Sequence, residues 1–456
     1  MKYETNSKKI QEGQIFVAIS GNTVDGHNYV NEAVKKGAIE IIAEKDVETS
    51  VPIKIVPNTE EYLKERLIEE YSDSLKDLKL IGITGTNGKT TTCYLVYQML
   101  NKLGLKTAYI GTIGYGVEGN LTELSNTTPD ILTLYNLLFD AKEKGCKIVV
   151  MEVSSHALSF NRIAGLEFEM GAFTNLTEDH LDFYKTMENY LNAKLMFLDY
   201  LKPQGKFLVN NDDDYAHFFK EKGQDKIITL GIKEESDMKI SNIEMHPNYT
   251  SFKLNGNEMS INLISRFNVY NYVMAFTIVK NLGFNEKEIT NLSKAIHPPK
   301  GRCETYKVKN GFAVVDYAHT PDAVDKVISA YRCLATSKII TIVGCGGDRD
   351  PLKRPIMGQI ASEKSDYVIF SNDNPRTEDP NKIMKDILKG VKKENYEVVL
   401  DRHEAIIKAL DKIEENDIVL ILGKGHEDYQ ILGREKIHFD DSEEIHNYCE
   451  KLKETF

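Results

Sequence analysis

At roughly 100–200 residues per domain, a chain of 456 residues has room for about three domains, which excludes a single small binding module. Hydrophobic residues at 41%, charged residues at 28%, 30 Gly and 12 Pro are globular proportions and exclude a fibrous or disordered chain. Fifty-seven Lys and Arg against 69 Asp and Glu leave a net charge of −12, the wrong sign for a chain whose main partner is nucleic acid or an anionic membrane, though a local basic site stays open.

The opening MKYETNSKKI has no apolar signal region, and no apolar run approaches the ~20 residues that span a bilayer, so a cytoplasmic protein is expected. Cys93, Cys146, Cys303, Cys333, Cys345 and Cys449 form no C-x-x-C pair, which predicts reduced thiols, mostly in the core, and neither a zinc ribbon nor a redox motif.

Three blocks follow from the punctuation. Block one, residues 1–76, reads as a strand at Gln14–Ile19, a turn-rich GNTVDGH loop and a helix ending near Gly37. Block two, 77–300, opens on the apolar Leu80–Thr84 and closes at Pro298-Pro299, which cannot continue a helix. Block three, 301–456, carries three apolar runs with polar, glycine-bearing exits, Ile339–Val343, Tyr367–Phe370 and Ile418–Leu422. From Leu80 onward β-prone runs alternate with amphipathic stretches, which predicts an α/β fold with parallel sheets.

Leu80–Thr84, then GTNGKT, then a helix over Thr91–Leu103 closed by Gly104 is a strand, a glycine loop and a helix. The backbone N–H groups of Gly85, Thr86, Asn87 and Gly88 would cradle phosphate, with Lys89 reaching the outer phosphates and Thr90 holding Mg²⁺. Ile83 occupies the first glycine position of the general phosphate-loop pattern, and the alternative is a tight turn with an incidental lysine.

Further on, Glu152 ends the apolar run Lys147–Val153, where α/β sheets place ligands; it reads as an Mg²⁺ carboxylate or as an ordinary strand-end acid. His180, in TEDHLD, reads equally as a ligand or a loop histidine. A helix over Thr186–Leu201 sets Met187, Tyr190, Leu191, Leu195 and Leu198 on one face, and Lys194 falls on that stripe. Lysine is rarely buried without a partner, so either it snorkels or it has an unusual role.

In block three the exits are GCGGDRD, NDNPR and GKGHE. Parallel neighbouring strands would bring Arg349, Asn374, Arg376 and Glu427 to one sheet edge, where guanidiniums suit a carboxylate and Glu427 suits an ammonium. An amino acid carries both groups; a surface ion-pair cluster is the alternative.

Taken in order, GTNGKTT, NTTPD, MEVSSHAL, NLTEDHLDFYKTMENYLNAK, GRCE, VDYAHTPDA, GGDRD, DNPR and GKGHEDYQ cover nearly the whole chain. The sequence resembles the Mur ligases, and among them those that add the third residue of the peptidoglycan stem peptide. That resemblance implies three domains: one for the UDP end of the substrate, a central phosphate-loop ATPase domain with a mostly parallel sheet, and a C-terminal Rossmann-like domain for the amino acid. It implies that Lys89, Thr90, Glu152 and His180 serve phosphate and Mg²⁺, with Thr91 completing the loop. Lys194 matches the position carried as a carbamate, an N6-carboxylysine, which would turn a stranded cation into an anion beside Mg²⁺. Asn268 and Asn271 match the adenine side, and Arg302 and Asp316 match phosphate and ribose contacts. Asn126, Thr127, Thr128, Ser154 and Arg162 match positions facing the muramoyl peptide. Arg349, Asp373, Asn374, Pro375, Arg376, Gly423 and Glu427 match the amino-acid site. Ser7 falls on the uridine side, where Asn6-Ser7-Lys8 replaces the usual D-S-R; Phe160 stands where glutamine is common before Arg162.

The implied reaction is ATP-dependent. The D-glutamate carboxylate of a UDP-linked muramoyl dipeptide is phosphorylated, and the amino group of a diamino acid displaces phosphate; Arg376 points to meso-diaminopimelate, with L-lysine or another diamino acid as the alternative. A monomer is expected, with no nucleic acid or membrane partner. A folylpolyglutamate-type ligase would share the loop and the carbamate but not DNPR and GKGHE. A switch NTPase would release ADP without both acceptor and amino acid, and a binding-only paralogue would not need Lys89, Glu152, His180 and Lys194 intact.

Overall fold

The computed structural model describes residues 1–21, 24–233, 235–246, 249–335 and 337–454, so Asn22 and Thr23 of the GNTVDGH loop lie outside it. The chain divides into two compact units, one built from residues 1–82, 104–171 and 193–206, the other from 83–103, 172–192 and 207–456.

In the first unit, strands Tyr3–Glu4, Ile15–Val17, Glu40–Ala43 and Ile53–Ile55 form a parallel sheet in sequence order. Its core holds Phe16, Ala18, Val30, Ala33, Ile41 and Ala43. A second sheet runs Leu201–Asn210, Phe168–Phe173, Lys79–Thr84, Ile148–Glu152, Thr107–Gly111, Gly114–Val117, Asn120–Thr122. The first three of these strands lend only their initial residues, 201–206, 168–171 and 79–82, to this unit. Ile148–Glu152 is buried throughout, as expected of a strand covered on both faces, and it pairs in parallel with Thr107–Gly111. The last two strands fold back antiparallel, an addition that the sequence pattern did not suggest.

In the second unit, the closing residues of the same three strands continue through Ile227–Gly231, Met238–Met245, Thr250–Leu254 and Asn257–Ile261, the last two pairings antiparallel. Helix Lys89–Lys102 packs along helix Arg266–Asn281. The unit's other large sheet has the order Glu304–Val308, Gly311–Asp316, Ile418–Leu422, Ile339–Val343, Tyr367–Phe370, Tyr396–Val398, and every pairing but the first is parallel. Helices Pro321–Arg332, Lys353–Lys364 and Pro380–Leu388 bury Val327, Ile328, Met357 and Ile387 against one face. Arg402–Asp411 and Asp441–Glu454 bury Ile406, Leu410 and Ile445 against the other. Helices on both faces of a mostly parallel sheet make this a doubly wound, Rossmann-like layer. Local chemistry fixes the helix starts: Thr320, Asp379 and Asp401 each accept a backbone N–H as N-caps, and Pro321 and Pro380 occupy the first turn, where no N–H is needed.

The α/β expectation holds, and the three apolar runs of block three are strands with the predicted bounds. One element is corrected. The helix expected over Thr186–Leu201 is α-helical only over Met187–Leu195, tightens to a 3₁₀ helix over Met196–Tyr200, and gives way to strand at Leu201. Leu201 already has extended backbone, because it opens a strand on the sheet. Among the described residues all six cysteines are free thiols, four of them buried.

Candidate active site

The phosphate-loop residues lie together in the second unit. Gly88 caps helix Lys89–Lys102 with φ of 87°, left-handed backbone that glycine adopts at no steric cost. A Cβ at Gly85, whose φ is 142°, would stand 1.9 Å from Thr174 Oγ1, so the loop needs glycine there twice over. The turn is held open by its neighbour: Thr86 N donates to Asn175 O at 2.8 Å, Asn87 N to Asn175 Oδ1 at 3.0 Å, and Thr174 Oγ1 to Asn87 O at 2.6 Å. Lys89 Nζ donates to Gly85 O and Thr86 O, both at 2.9 Å, folding its ammonium over the loop at the positive end of the helix. Thr90 and Thr91 are buried in the first turn, and Arg302 Nη2 donates to Thr90 Oγ1 at 3.3 Å. A guanidinium thus reaches the hydroxyl expected to face Mg²⁺.

Around this loop, Asn268 and Asn271 are buried on helix Arg266–Asn281; Asn271 Nδ2 donates to Asn268 Oδ1 at 3.1 Å, and Thr92 Oγ1 donates to Asn271 Oδ1 at 3.3 Å. Asp316 accepts Cys303 N at 2.7 Å and Ala318 N at 2.8 Å; burial pushes its carboxyl up, against the pull of Arg302 and these two N–H groups. His180 has left-handed backbone and lies 3.4 Å from Asp179 through Nε2, edge-on to Tyr190.

In the first unit, Glu152 is fully buried at its strand end. Tyr109 OH and Thr112 N donate to Oε1 at 2.7 and 2.8 Å, and Thr112 Oγ1 donates to Oε2 at 3.1 Å. Gly111 makes this possible, since a Cβ there would meet Oε1 at 2.4 Å. Three of the expected peptide-side residues close round the same strand end. Thr128 Oγ1 donates to Glu152 O at 2.7 Å, Ser154 N donates to Thr128 Oγ1 at 3.1 Å, and Arg162 Nη1 donates to Thr128 O at 2.8 Å. Thr127 Oγ1 meets Thr112 Oγ1 at 3.1 Å, and Asn126 is exposed beside them in sequence. Lys194 is fully buried, which removes the snorkelling alternative. Ser7, by contrast, is 6% exposed and its hydroxyl donates to Glu32 Oε2 at 2.9 Å, so part of its capacity is used inside the fold. Among the described residues no three His, Cys, Asp or Glu side chains converge as a ready-made metal cluster.

Three strand exits meet in the second unit, with Ile339–Val343 between the other two strands. Asn374 Nδ2 donates to Glu427 Oε2 at 2.7 Å, and Arg376 Nη1 donates to Gly347 O at 2.9 Å. A Cβ at Gly346 would lie 2.9 Å from Arg376 Nη1 and 3.7 Å from Arg349 Cγ, so both arginines flank the glycine turn. Gly423, with φ of 115°, passes so close to Asp373 that a Cβ would meet Oδ2 at 2.6 Å; Pro375 is buried between Asn374 and Arg376. Burial, with Asp373 adding repulsion, pushes the Glu427 carboxyl up, and Lys424 and Asn374 pull it back. The edge offers guanidiniums to carboxylates and a carboxylate to an ammonium.

Several residues here escaped the sequence reading. Lys424 is fully buried, with Nζ 3.2 Å from Glu427 Oε2 and 3.4 Å from Asn374 Oδ1. Asp322 accepts Asn87 Nδ2 at 2.8 Å and ties the phosphate loop to the start of helix Pro321–Arg332. Tyr317 lies under the Arg302 guanidinium at 4.5 Å and beside the rings of His319 and His426 at 4.5 and 5.0 Å. Lys424 sits within GKGHE and Tyr317 within VDYAHTPDA, so both were within reach of the motifs; the Asn87–Asp322 bond has no local signal.

A phosphate loop at a strand-to-helix turn, in one unit with a Rossmann-like sheet that gathers arginines and an acid at its strand exits, defines an ATP-site-bearing α/β enzyme of amino-acid-ligase type. Three family models match in order: Mur ligase family, catalytic domain, over residues 3–73; Mur ligase middle domain over 83–279; and Mur ligase, glutamate ligase domain, over 301–425. The chain belongs to the Mur ligase family. It is 41% identical over 458 residues to UDP-N-acetylmuramoyl-L-alanyl-D-glutamate--2,6-diaminopimelate ligase 1 of Clostridium acetobutylicum, covering 98% of this chain and 94% of that one. A solved structure of a ligase with the same activity name is 31% identical at a TM-score of 0.68, covering 99% and 95% of the two chains. The MurF ligase of Thermotoga maritima in complex with ADP, at 19% identity, TM-score 0.69 and coverage of 100% and 98%, shares the fold.

Proposed function

We propose that this chain is an ATP-dependent ligase that adds meso-diaminopimelate to UDP-N-acetylmuramoyl-L-alanyl-D-glutamate in peptidoglycan synthesis. The observation that carries the reading is the strand-exit edge of Asn374, Arg376 and Glu427, in a chain that is 41% identical almost end to end to a relative named for that reaction. A carboxylate and an amine do not condense unaided in water, because hydroxide is a poor leaving group. Transfer of the γ-phosphoryl group to the D-glutamate carboxylate makes an acyl phosphate; the amine attacks, and phosphate leaves from the tetrahedral intermediate. Lys89 and the loop N–H groups offset charge on the moving phosphoryl group by placement.

The finer assignments rest on the resemblance and on the chemistry of the donors. Glu152, Thr90, His180 and Lys194 as a carbamate are the proposed partners of Mg²⁺, an ion that prefers oxygen ligands; it would supply charge neutralisation at the phosphates. The buried carboxylate of Glu152 and the complete burial of Lys194 fit that assignment. Asn268, Asn271, Arg302 and Asp316 serve the nucleotide. Asn126, Thr127, Thr128, Ser154 and Arg162 serve the muramoyl peptide, and Ser7 the uridine. Arg349, Asp373, Pro375 and Gly423 complete the amino-acid site. Residues 1–76, 77–300 and 301–456 act as UDP-substrate, ATP and amino-acid domains. The protein works as a cytoplasmic monomer.

The test is ADP release with UDP-MurNAc-L-Ala-D-Glu, crossed with meso-diaminopimelate, L-lysine and L-ornithine. ADP should appear only with acceptor and amino acid together, and fastest with diaminopimelate. Release without the acceptor would support a switch NTPase instead.

A further inference from the structure

Arg402 and Asp441 form an ion pair with both side chains fully buried, far from any residue so far given a role in sequence. Arg402 opens helix Arg402–Asp411 and Asp441 opens helix Asp441–Glu454, two helices on the same face of the Rossmann-like sheet. Nε donates to Asp441 Oδ1 at 2.8 Å and Nη2 to Oδ2 at 2.7 Å, the two-pronged geometry that holds a guanidinium in one orientation. The remaining donors face the main chain: Nη2 reaches Leu422 O at 3.1 Å and Nη1 reaches Asn372 O at 3.3 Å.

Those two carbonyls are informative. Leu422 is the last residue of Ile418–Leu422 and immediately precedes GKGHE; Asn372 is the first residue of NDNPR. The strands behind them are not neighbours, because Ile339–Val343 lies between them. No ladder hydrogen bond therefore links the two exits directly, and one guanidinium does so across the intervening strand. In front of it the loops meet again through Asn374 and Glu427, and Gln430 Nε2 donates to Asp373 O at 2.8 Å.

We propose that Arg402, oriented by Asp441, is a positioning residue for the amino-acid site: it sets the spacing between Arg376 and Asn374 on one loop and Glu427 on the other, and so the match to a substrate with a carboxylate and an ammonium. The proposal rests on the reading of these loops as the amino-acid site. Lysine cannot replace this arginine, since a single ammonium cannot grip both carboxylate oxygens and reach both carbonyls at once.

Arg402→Lys and the isosteric Asp441→Asn are to be assayed in the full chain, with diaminopimelate varied at saturating ATP and acceptor. KM for diaminopimelate should rise about tenfold or more while KM for ATP stays within about twofold. A fall in kcat with KM for diaminopimelate unchanged, the signature of a smaller folded fraction, overturns the proposal. Unchanged kinetics overturn it, and so does failure of both variants to fold, since the pair would then hold the whole layer together. Glu427→Gln run alongside separates the two readings. If its KM for diaminopimelate does not move, the loops are not the amino-acid site; if it moves while the Arg402 and Asp441 variants do not, the clamp alone is wrong.

Discussion

Asn374 donates to Glu427 at 2.7 Å, so two loops that leave non-adjacent strands meet through their side chains at the edge where the amino acid is proposed to bind. Burial holds the Glu427 carboxyl above the usual carboxylate range. Only its charged form attracts an ammonium, so the raised value makes that attraction fail at a higher pH than for an ordinary glutamate, near ~4.3. KM for diaminopimelate should therefore climb on acidification, starting above that range, and Glu427→Gln should flatten the acid limb while raising KM about tenfold or more. A pH profile of KM checks both, and a wild-type profile with no acid limb would refute the assignment. The effect on stability has the opposite direction. With the folded-state value raised, the native chain holds the extra proton, and this group's contribution falls as pH rises through the interval.

Two half-buried histidines give a separate pH signature. Burial lowers His319 to about 4, helped by Lys353, and lowers His426 to about 3, helped by Arg302. The unfolded chain takes up protons below about pH 6.5 that the native chain refuses, so stability is lost as pH falls from there, by up to about 1.4 kcal/mol per pH unit for each histidine. Urea unfolding at several pH values between these limits, in wild type and His426→Asn, should show the variant with the shallower slope. Equal slopes would mean that His426 is not held neutral.

Much of this site was legible because its residues sit in short motifs at the ends of apolar runs. Ile339–Val343 and Ile418–Leu422 are β-branched and leucine-rich, bounded by glycine, and buried on both faces, so the pattern fixed their limits to the residue. The strands Gly114–Val117 and Asn120–Thr122 are short and glycine- or asparagine-bearing, and the pairing of the first with Thr107–Gly111 and of the second with the first depends on an edge that no local pattern encodes. Apolar spacing of three and four cannot separate an α-helix from a following 3₁₀ turn, which is why Met196–Tyr200 read as helix. The Asn87–Asp322 bond joins residues 235 apart, and Arg402 lies in no recognisable motif; both are visible only once the sheet is assembled.

Lys194 is fully buried, and a charged ammonium in that setting has to be matched or converted. The proposed carbamate would be an anion offered to Mg²⁺. Lys194→Ala should lower ligation by about 10²–10³ or more, with the fold retained by circular dichroism. Lys194→Arg keeps the positive charge but cannot take up carbon dioxide in the same way, so it should be equally inactive. Near-normal turnover in either variant would remove the carbamate role.

The third residue of the stem peptide is expected to be meso-diaminopimelate and not L-lysine. The two differ by one carboxylate at the far end of the side chain, so discrimination needs a cation placed for it. Arg376 has left-handed backbone at φ of 53°, and its main chain is pinned by Arg376 N to Ile431 O at 3.0 Å and by Gly433 N to Arg376 O at 2.8 Å. That anchoring sets where the side chain starts. Among the described residues its guanidinium makes one hydrogen bond, Nη1 to Gly347 O, which leaves other donors for a carboxylate. Removing one partner from a desolvated charge pair costs about 3–5 kcal/mol, and Arg376 is only half-buried, which favours the lower end, a factor of about 10² in preference. Arg376→Ala should lower kcat/KM for diaminopimelate by about that factor and leave KM for ATP unchanged. On the proposed assignment Arg349 and Glu427 would serve the reacting amino-acid end that both substrates share, so L-lysine should gain little from the change. Comparable kcat/KM for lysine and diaminopimelate in the unmutated enzyme would refute the assignment of Arg376.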